Sequence, residues 1–347
     1  MAAQNGMRND KLDLIKCIAI YGVICIHVPF PGQFGQAVNC LARFAVPLFF
    51  LTAGYFSGGK GTAVLARKCR RTAGLLLAAS LFCLGWGCLL VWLQGKPVGA
   101  YLKGLATWHN GREFLLYQML PFPYAWHLWF LGALLVCYLL WLALTVLLGR
   151  SAIPYRGLTC LALVALMLHL ILGEGRGLLG MEVIPTQYLR NALLDGLPFF
   201  ILGVWARGVR GELTRYGSFW PWIIGAALLS LLERHYSGYH EIYLGTILAA
   251  VLLLAEAIRA PEVKAAWLRG ACLIGRELTL FLYILHLPFY GLLRSWPHLA
   301  ERVESGIWPW LMPVLIGIAS TGAALALFRW QASFPVRRQH GKRELPS

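Results

Sequence analysis

Charge is what this sequence has least of. Asp, Glu, Lys and Arg make up 13% of its 347 residues, against 59% hydrophobic residues, and the mean hydropathy is +0.63. A soluble domain of this length has no core large enough to hide so much apolar surface, and its helices would need polar faces that are absent here. The deficit falls mainly on acid: 15 Asp and Glu stand against 31 Lys and Arg, a net charge of +16. On a soluble protein that excess would suggest nucleic acid. Here the basic residues punctuate apolar runs, so their meaning is topological and no nucleic-acid partner is expected. The nine cysteines include no CxxC pair and no zinc spacing, and Cys17, Cys25, Cys83 and Cys88 lie inside apolar runs. They read as packing residues, not disulfides. No small-residue cleavage site follows the first apolar segment, which carries Asp13 and Lys16, so it reads as a retained span rather than a leader. No tandem repeat and no appended soluble domain are visible. One membrane domain over 1–330 and a short basic cytoplasmic tail at 331–347 account for the chain.

What is there is a series of apolar runs near the roughly 20 residues that cross a bilayer. The expected fold is all-α, a polytopic membrane bundle of about ten transmembrane helices. The runs are about 12–30, 39–57, 73–93, 125–148, 157–172, 188–206, 219–232, 241–258, 272–293 and 307–328. The longest loop, about 94–124, reads as holding a surface helix rich in aromatics. With both termini cytoplasmic, most Lys and Arg fall on inside segments, among them Lys60, Arg67, Lys68, Arg70, Arg71, Arg207, Arg210 and Arg215 and the tail at Arg337, Arg338, Lys342 and Arg343. Few fall outside, at positions such as Lys96, Arg112, Arg176 and Arg302. That asymmetry fits the positive-inside pattern.

An ionisable group at membrane depth costs about 2.5–3.5 kcal/mol on insertion scales and usually faces a cavity. Lys16 and His27, in "KCIAIYGVICIH", are separated by about 20° beyond three full helical turns, so they share a face, with His27 about 16 Å deeper. The plain alternative is a snorkelling lysine and a histidine satisfied by a carbonyl. Pro29 and Pro288 follow His27 and His286 by two residues; each removes an N–H and is expected to kink its helix beside the imidazole. In "ARKCRR" (66–71), Arg67 and Arg70 share a helical face. With Lys68 and Arg71 they could clamp the phosphates of a cytosolic ligand, or serve only as a topology signal. Arg43, His127 and Trp129 fall toward outer span ends. Arg276, Glu277, Tyr283 and His286 share one late span, and Arg190, Asp195 and Glu233 add polar points between. Asp195 lies within reach of a pairing with Arg190. His27, His127 and His286 sit on three helices with no carboxylate or cysteine at ligand spacing beside them, so no metal is expected.

Together these segments resemble the acyltransferase family 3 membrane proteins, which O-acylate surface glycans and related acceptors. The resemblance covers roughly 8–330. The family's basic residue, ten residues, then histidine is similar to Lys16 and His27. Its R-x-x-VP-x-FF-x-x-SG-[FY] resembles "RFAVPLFFLTAGY", with Ala53 where serine is usual. Its R-x-x-R resembles Arg67 and Arg70, its W-[YF]-L resembles "HLWFL", and its late G-[KR]-x-x-[ST]-x-x-x-Y-x-x-H resembles "GRELTLFLYILH". "RFAVPLFF" and "RNALLDGLPFFILG" are also similar to the membrane half of the vancomycin-resistance serine racemases. The racemase domain usually fused to that half is not in this sequence, so no racemase activity carries over.

The resemblance implies a membrane-embedded O-acyltransferase in a bacterial cell membrane. Its co-substrate would be cytosolic acyl-CoA, with acetyl-CoA the expected form, and its acceptor a glycan or other hydroxyl. His27 would be the general base or the acyl carrier, assisted by Lys16, with Arg67, Lys68, Arg70 and Arg71 on CoA. Arg43, His127 and Trp129 would line the acceptor side, and Glu233, Arg276, Tyr283 and His286 would support the cavity. The rival readings are a multi-pass transporter of a small amino acid or polyol without CoA chemistry, and a sensor or scaffold without turnover.

Overall fold

The structure is a computed structural model that describes residues 8–182, 184–295 and 305–333. Among these the chain is helical throughout, with no strand. Lipid offers no partner to a backbone N–H or C=O, so a chain this apolar satisfies its backbone within helices.

Helix α1 spans Asp10–His27. The Asn9 side chain accepts from the Leu12 N–H at 2.8 Å and caps it. It ends at His27, so Pro29 lies beyond the helix rather than kinking it, and His27 becomes the last helical residue. The chain turns at once into α2 (Gly32–Ala42), breaks at Arg43 and Phe44, and continues as α3 (Ala45–Tyr55). The second run therefore starts earlier than its hydropathy suggests. Helix α4 (Thr62–Leu93) is about 48 Å long, more than the hydrocarbon core needs, and carries "ARKCRR" in its first turns.

Two surface helices with no buried residue follow, α5 (Val98–Leu105) and α6 (Trp108–Tyr117), where one was expected. A turn at Trp126–Leu128 leads into α7 (Trp129–Leu148). Helix α8 (Tyr155–Leu170) is extended by a wide π-turn at Ile171–Gly175. Then come α9 (Leu197–Gly208), entered through a π-turn at Ala192–Gly196, α10 (Trp220–Ser237) and α11 (Leu244–Arg259). A further π-turn at Ile274–Leu278 opens α12 (Thr279–Arg294), which holds Pro288 in its interior as expected. Helix α13 (Trp308–Ser333) closes the described chain. The expected tail lies outside the described residues from 334 onward, as does Arg302.

Six helical runs among the described residues are long and apolar enough to cross a membrane: Gly32–Tyr55, Thr62–Leu93, Trp126–Leu148, Tyr155–Leu178, Ala266–Arg294 and Trp308–Ser333. Large side chains such as Leu147, Val164 and Trp222 face outward from the bundle, as lipid permits. The chain is a multi-pass membrane protein. Helix α1 runs through its middle, packed against α2, α3, α11, α12 and α13.

Two backbone approaches set the frame. A Cβ on Gly54 of α3 would lie 1.9 Å from the carbonyl oxygen of Phe200 on α9, and a Cβ on Gly203 would lie 2.0 Å from that of Leu51. Side chains here would drive the two helices apart. Gly54→Val is therefore expected to cost the upper end of the ~1–3 kcal/mol typical of overpacking. Gly74→Ala, with nothing within 4 Å of its Cβ, should stay within about 0.5 kcal/mol of wild type. Unfolding in detergent followed by tryptophan fluorescence separates the two.

Candidate functional site

Three histidines from distant parts of the chain meet in the bundle. The end of α1 supplies His27, the turn before α7 supplies His127, and the middle of α12 supplies His286. Ring centroids lie 5.4 Å apart for His27 and His286, 5.0 Å for His127 and His286, and 6.3 Å for His27 and His127. His127 and His286 are fully buried, while His27 keeps part of its surface open. Tyr283, one turn before His286, donates its hydroxyl to the carbonyl of His127 and holds the turn against α12. The indole N–H of Trp126 donates to Nδ1 of His27 at 3.3 Å. Nδ1 of His286 meets the Leu282 carbonyl at 3.0 Å. Both ring nitrogens of His127 and Nε2 of His286 are buried without a protein partner. Unpartnered polar atoms at such depth cost about 1–3 kcal/mol each unless something occupies the space beside them.

A cavity of about 850 Å³ reaches Tyr283, whose ring lies 5.0 Å from that of His127 and 6.5 Å from that of His286. Its charged rim is Lys16, Lys68, Arg71, Arg276 and Glu277, and its wall continues through Phe49, Phe130, Leu134 and Phe281 to Tyr283. Lys16 and His27, predicted to share one face of the first helix, therefore stand at the rim and at the chamber. The rim is partly pre-paired. Lys16 Nζ lies 2.7 Å from Asp13, Arg276 Nε lies 2.7 Å from Glu277, and Lys68 Nζ donates to the Phe56 carbonyl and the Ser57 hydroxyl.

Of the "ARKCRR" cluster, the cavity takes Lys68 and Arg71; Arg67 and Arg70 are exposed and do not line it. The reason is helical phase. Helix α4 turns Lys68, Arg71, Thr72, Leu75, Ala79 and Phe82 toward the cavity, one stripe at steps of three and four.

A second polar group lies on the other side. Arg43, at the break between α2 and α3, pairs with Glu241 at 2.8 Å, donates twice to the Asn39 side-chain oxygen and once to the Tyr239 hydroxyl, and is buried. Arg190 stands 3.9 Å from the other Glu241 oxygen and lies over the Trp129 ring at 5.3 Å. Glu241 thus draws Arg190 in place of the expected Asp195, whose Oδ1 is buried without a partner. Arg190 lies over Trp129, the residue after the turn that carries His127, so this cluster adjoins the chamber.

Glu233 does not join it. Its carboxylate accepts from the Gly245 N–H at 2.9 Å while Glu174 accepts from Leu244, so both satisfy free donors at the start of α11. Glu241 and Trp126 were not legible as site residues. The available signals were an acid at the edge of an apolar run in "HEIY" and a tryptophan beside His127. Among the described residues, no three His, Cys, Asp or Glu side chains are grouped so as to hold a metal ion.

The arrangement is a polar chamber inside a membrane bundle, with a cation-rimmed cavity that reaches its Tyr283 wall. The family model described as acyltransferase domain matches residues 9–329, and the chain belongs to that family, acyltransferase family 3. No curated protein and no solved structure gives a significant match.

Glu241 bridges two arginines at depth, so its removal leaves buried cations. Glu241→Ala is expected to cost about 3–5 kcal/mol, and adding Arg43→Met should restore part of it. Thermal unfolding of the single and double variants in detergent checks this.

Proposed function

We propose that the protein is an acyl-CoA-dependent O-acyltransferase, moving an acyl group, acetyl in the simplest case, to a hydroxyl of an envelope glycan-type acceptor. The observation that carries the reading is a cationic rim whose cavity runs to Tyr283, against a cluster of three imidazoles of which two hold unpartnered nitrogens. Lys68, Arg71, Lys16 and Arg276 suit the phosphates of CoA, and the apolar wall up to Tyr283 suits a pantetheine arm. About 16 Å of helix separates Lys16 from His27, which lets a thioester reach the chamber while the nucleotide stays at the mouth. The Arg43, Glu241, Arg190 and Trp129 group supports a polar acceptor approaching from the opposite side. This reading uses ten crossings with both termini cytoplasmic, in the plasma membrane of a bacterial cell.

In the transfer, the acceptor hydroxyl oxygen attacks the thioester carbonyl carbon and an imidazole takes its proton. The C–S bond breaks, and the thiolate of CoA leaves and is reprotonated. The sequence assigns the imidazole role to His27, as base or as acyl carrier.

Purified protein in detergent is expected to consume labelled acetyl-CoA, in slow hydrolysis or in transfer to added acceptor. His27→Ala should lower the rate by about 10²–10⁴-fold. The Lys68→Ala, Arg71→Ala double variant should raise KM with a smaller change in kcat, the mark of lost ground-state binding. A wild-type protein that neither binds nor consumes acetyl-CoA sinks this reading and turns attention to transport.

A further inference from the structure

We propose that His286, not His27, is the base of the chamber, and that His27 acts as a hydrogen-bond donor to the reacting carbonyl. The inference rests on the acyltransferase reading above and deepens it. Its argument is the hydrogen bonding of the two rings.

A backbone carbonyl only accepts. The 3.0 Å contact between His286 Nδ1 and the Leu282 carbonyl therefore places a proton on Nδ1. In the neutral ring Nε2 then holds a lone pair, and that atom is buried with no protein partner. An indole N–H only donates. The 3.3 Å contact between Trp126 Nε1 and His27 Nδ1 therefore makes Nδ1 the acceptor and leaves the proton on Nε2. Turning the His27 ring over would present carbon to the indole and lose this bond, so Trp126 selects one tautomer. The two rings, 5.4 Å apart, are thus set in complementary states: one offers a lone pair, the other an N–H. His127 has no partner on either nitrogen, so nothing selects its tautomer, and no role is assigned to it.

The chemistry follows from that division. The acceptor O–H gives its proton to His286 Nε2 as its oxygen bonds to the thioester carbonyl carbon. Negative charge gathers on the carbonyl oxygen, where His27 Nε2–H donates. Collapse breaks the C–S bond, and the departing thiolate takes the proton held by His286. Nδ1 of His286 keeps its bond to Leu282 throughout, so the same carbonyl that fixes the tautomer stabilises the imidazolium. The groups facing His286 are His27 from α1, His127 from the turn before α7, and Tyr283 on its own helix. Arg43, Arg190 and Glu241 are the charged groups of the adjoining cluster.

The first test reads the ring protons without any acyl donor. In purified full-length protein labelled with nitrogen-15 at its histidines, ring-nitrogen chemical shifts separate a protonated nitrogen from one with a free lone pair, and the His27→Gln and His286→Gln variants assign the signals. His286 is expected to show Nδ1–H with a bare Nε2, and His27 a bare Nδ1 with Nε2–H; Trp126→Phe should remove the preference at His27. The opposite tautomers, or an equal mixture at both rings, overturn the proposal.

The second test uses acetyl-CoA consumption. His286→Gln should lower kcat by about 10²–10⁴-fold and abolish the rise of rate with pH. His27→Gln should lower it by about 10²–10³-fold and keep that rise. The reverse pattern contradicts the assignment. A silent acetyl-CoA assay counts against the acyltransferase reading alone, because the tautomer result stands independently of turnover.

Discussion

The structure depends on the cost of leaving a polar group unsatisfied away from water. Inside a soluble protein such a group can find a stray water; between lipid-facing helices the partners must come from the chain. Nearly every charge in the bundle obeys this. Glu256 is buried against Lys11, Arg259 and the Phe219 N–H, tying the start of α1 to the end of α11. Glu233 and Glu174 answer the open donors of α11. Arg43 spends its donors on Glu241, Asn39 and Tyr239. Against that background the unsatisfied nitrogens of His127 and His286 are conspicuous, and so is the cavity that reaches Tyr283, in ring contact with both. Asp195 Oδ1, Arg190 Nε and Arg276 Nη1 are open as well; of these, Arg276 lines the cavity and Arg190 lies over Trp129.

The geometry of the chamber follows from where helices stop. Helix α1 ends at His27 because Pro29 cannot continue it, so the imidazole caps a helix instead of lying along one. The turn at Trp126–Leu128 delivers an indole and a second imidazole side by side, and Tyr283 fastens that turn to α12. Glycine contacts hold α3 and α9 at backbone distance, and Gly275, in the π-turn that opens α12, meets the Asp13 carbonyl of α1 in the same way, so two of the elements that carry the chamber have little freedom to shift. Rigidity of this kind suits a site in which a thioester and a hydroxyl must meet at a fixed separation.

Much of this was readable in the amino acids. Membrane class followed from composition, and the Lys16–His27 stripe from simple helical geometry. The family resemblance rested on motifs that supply residues to the chamber and its approach, except R-x-x-R, whose Arg67 and Arg70 face away. What escaped was whatever depends on phase and on partners distant in sequence. The basic cluster was recognised, but the choice of Lys68 and Arg71 over Arg67 and Arg70 depends on how α4 is rotated, and its rotation is set by packing against α7. Pro29 read as a kink because a run of apolar residues surrounds it; the chain instead uses it to stop. Asp195 was the nearest acid to Arg190 along the chain, yet Glu241 from a loop much later in the sequence reaches the guanidinium. Spacing points to His27, which has Lys16 on the same face, and gives His286 only a supporting place in the cavity. A tautomer is set by one carbonyl and one indole, and neither can be counted from spacing.

The central claim is that the cation-rimmed cavity carries an acyl thioester to the three histidines. Electron cryo-microscopy of the detergent-solubilised protein bound to a non-hydrolysable thioether analogue of acetyl-CoA tests it most directly. The account predicts phosphate density against Lys68 and Arg71, a pantetheine arm along Phe49, Phe130 and Phe281, and the sulfur beside His27 and His286. Analogue bound elsewhere on the molecule, with this cavity empty, would contradict it.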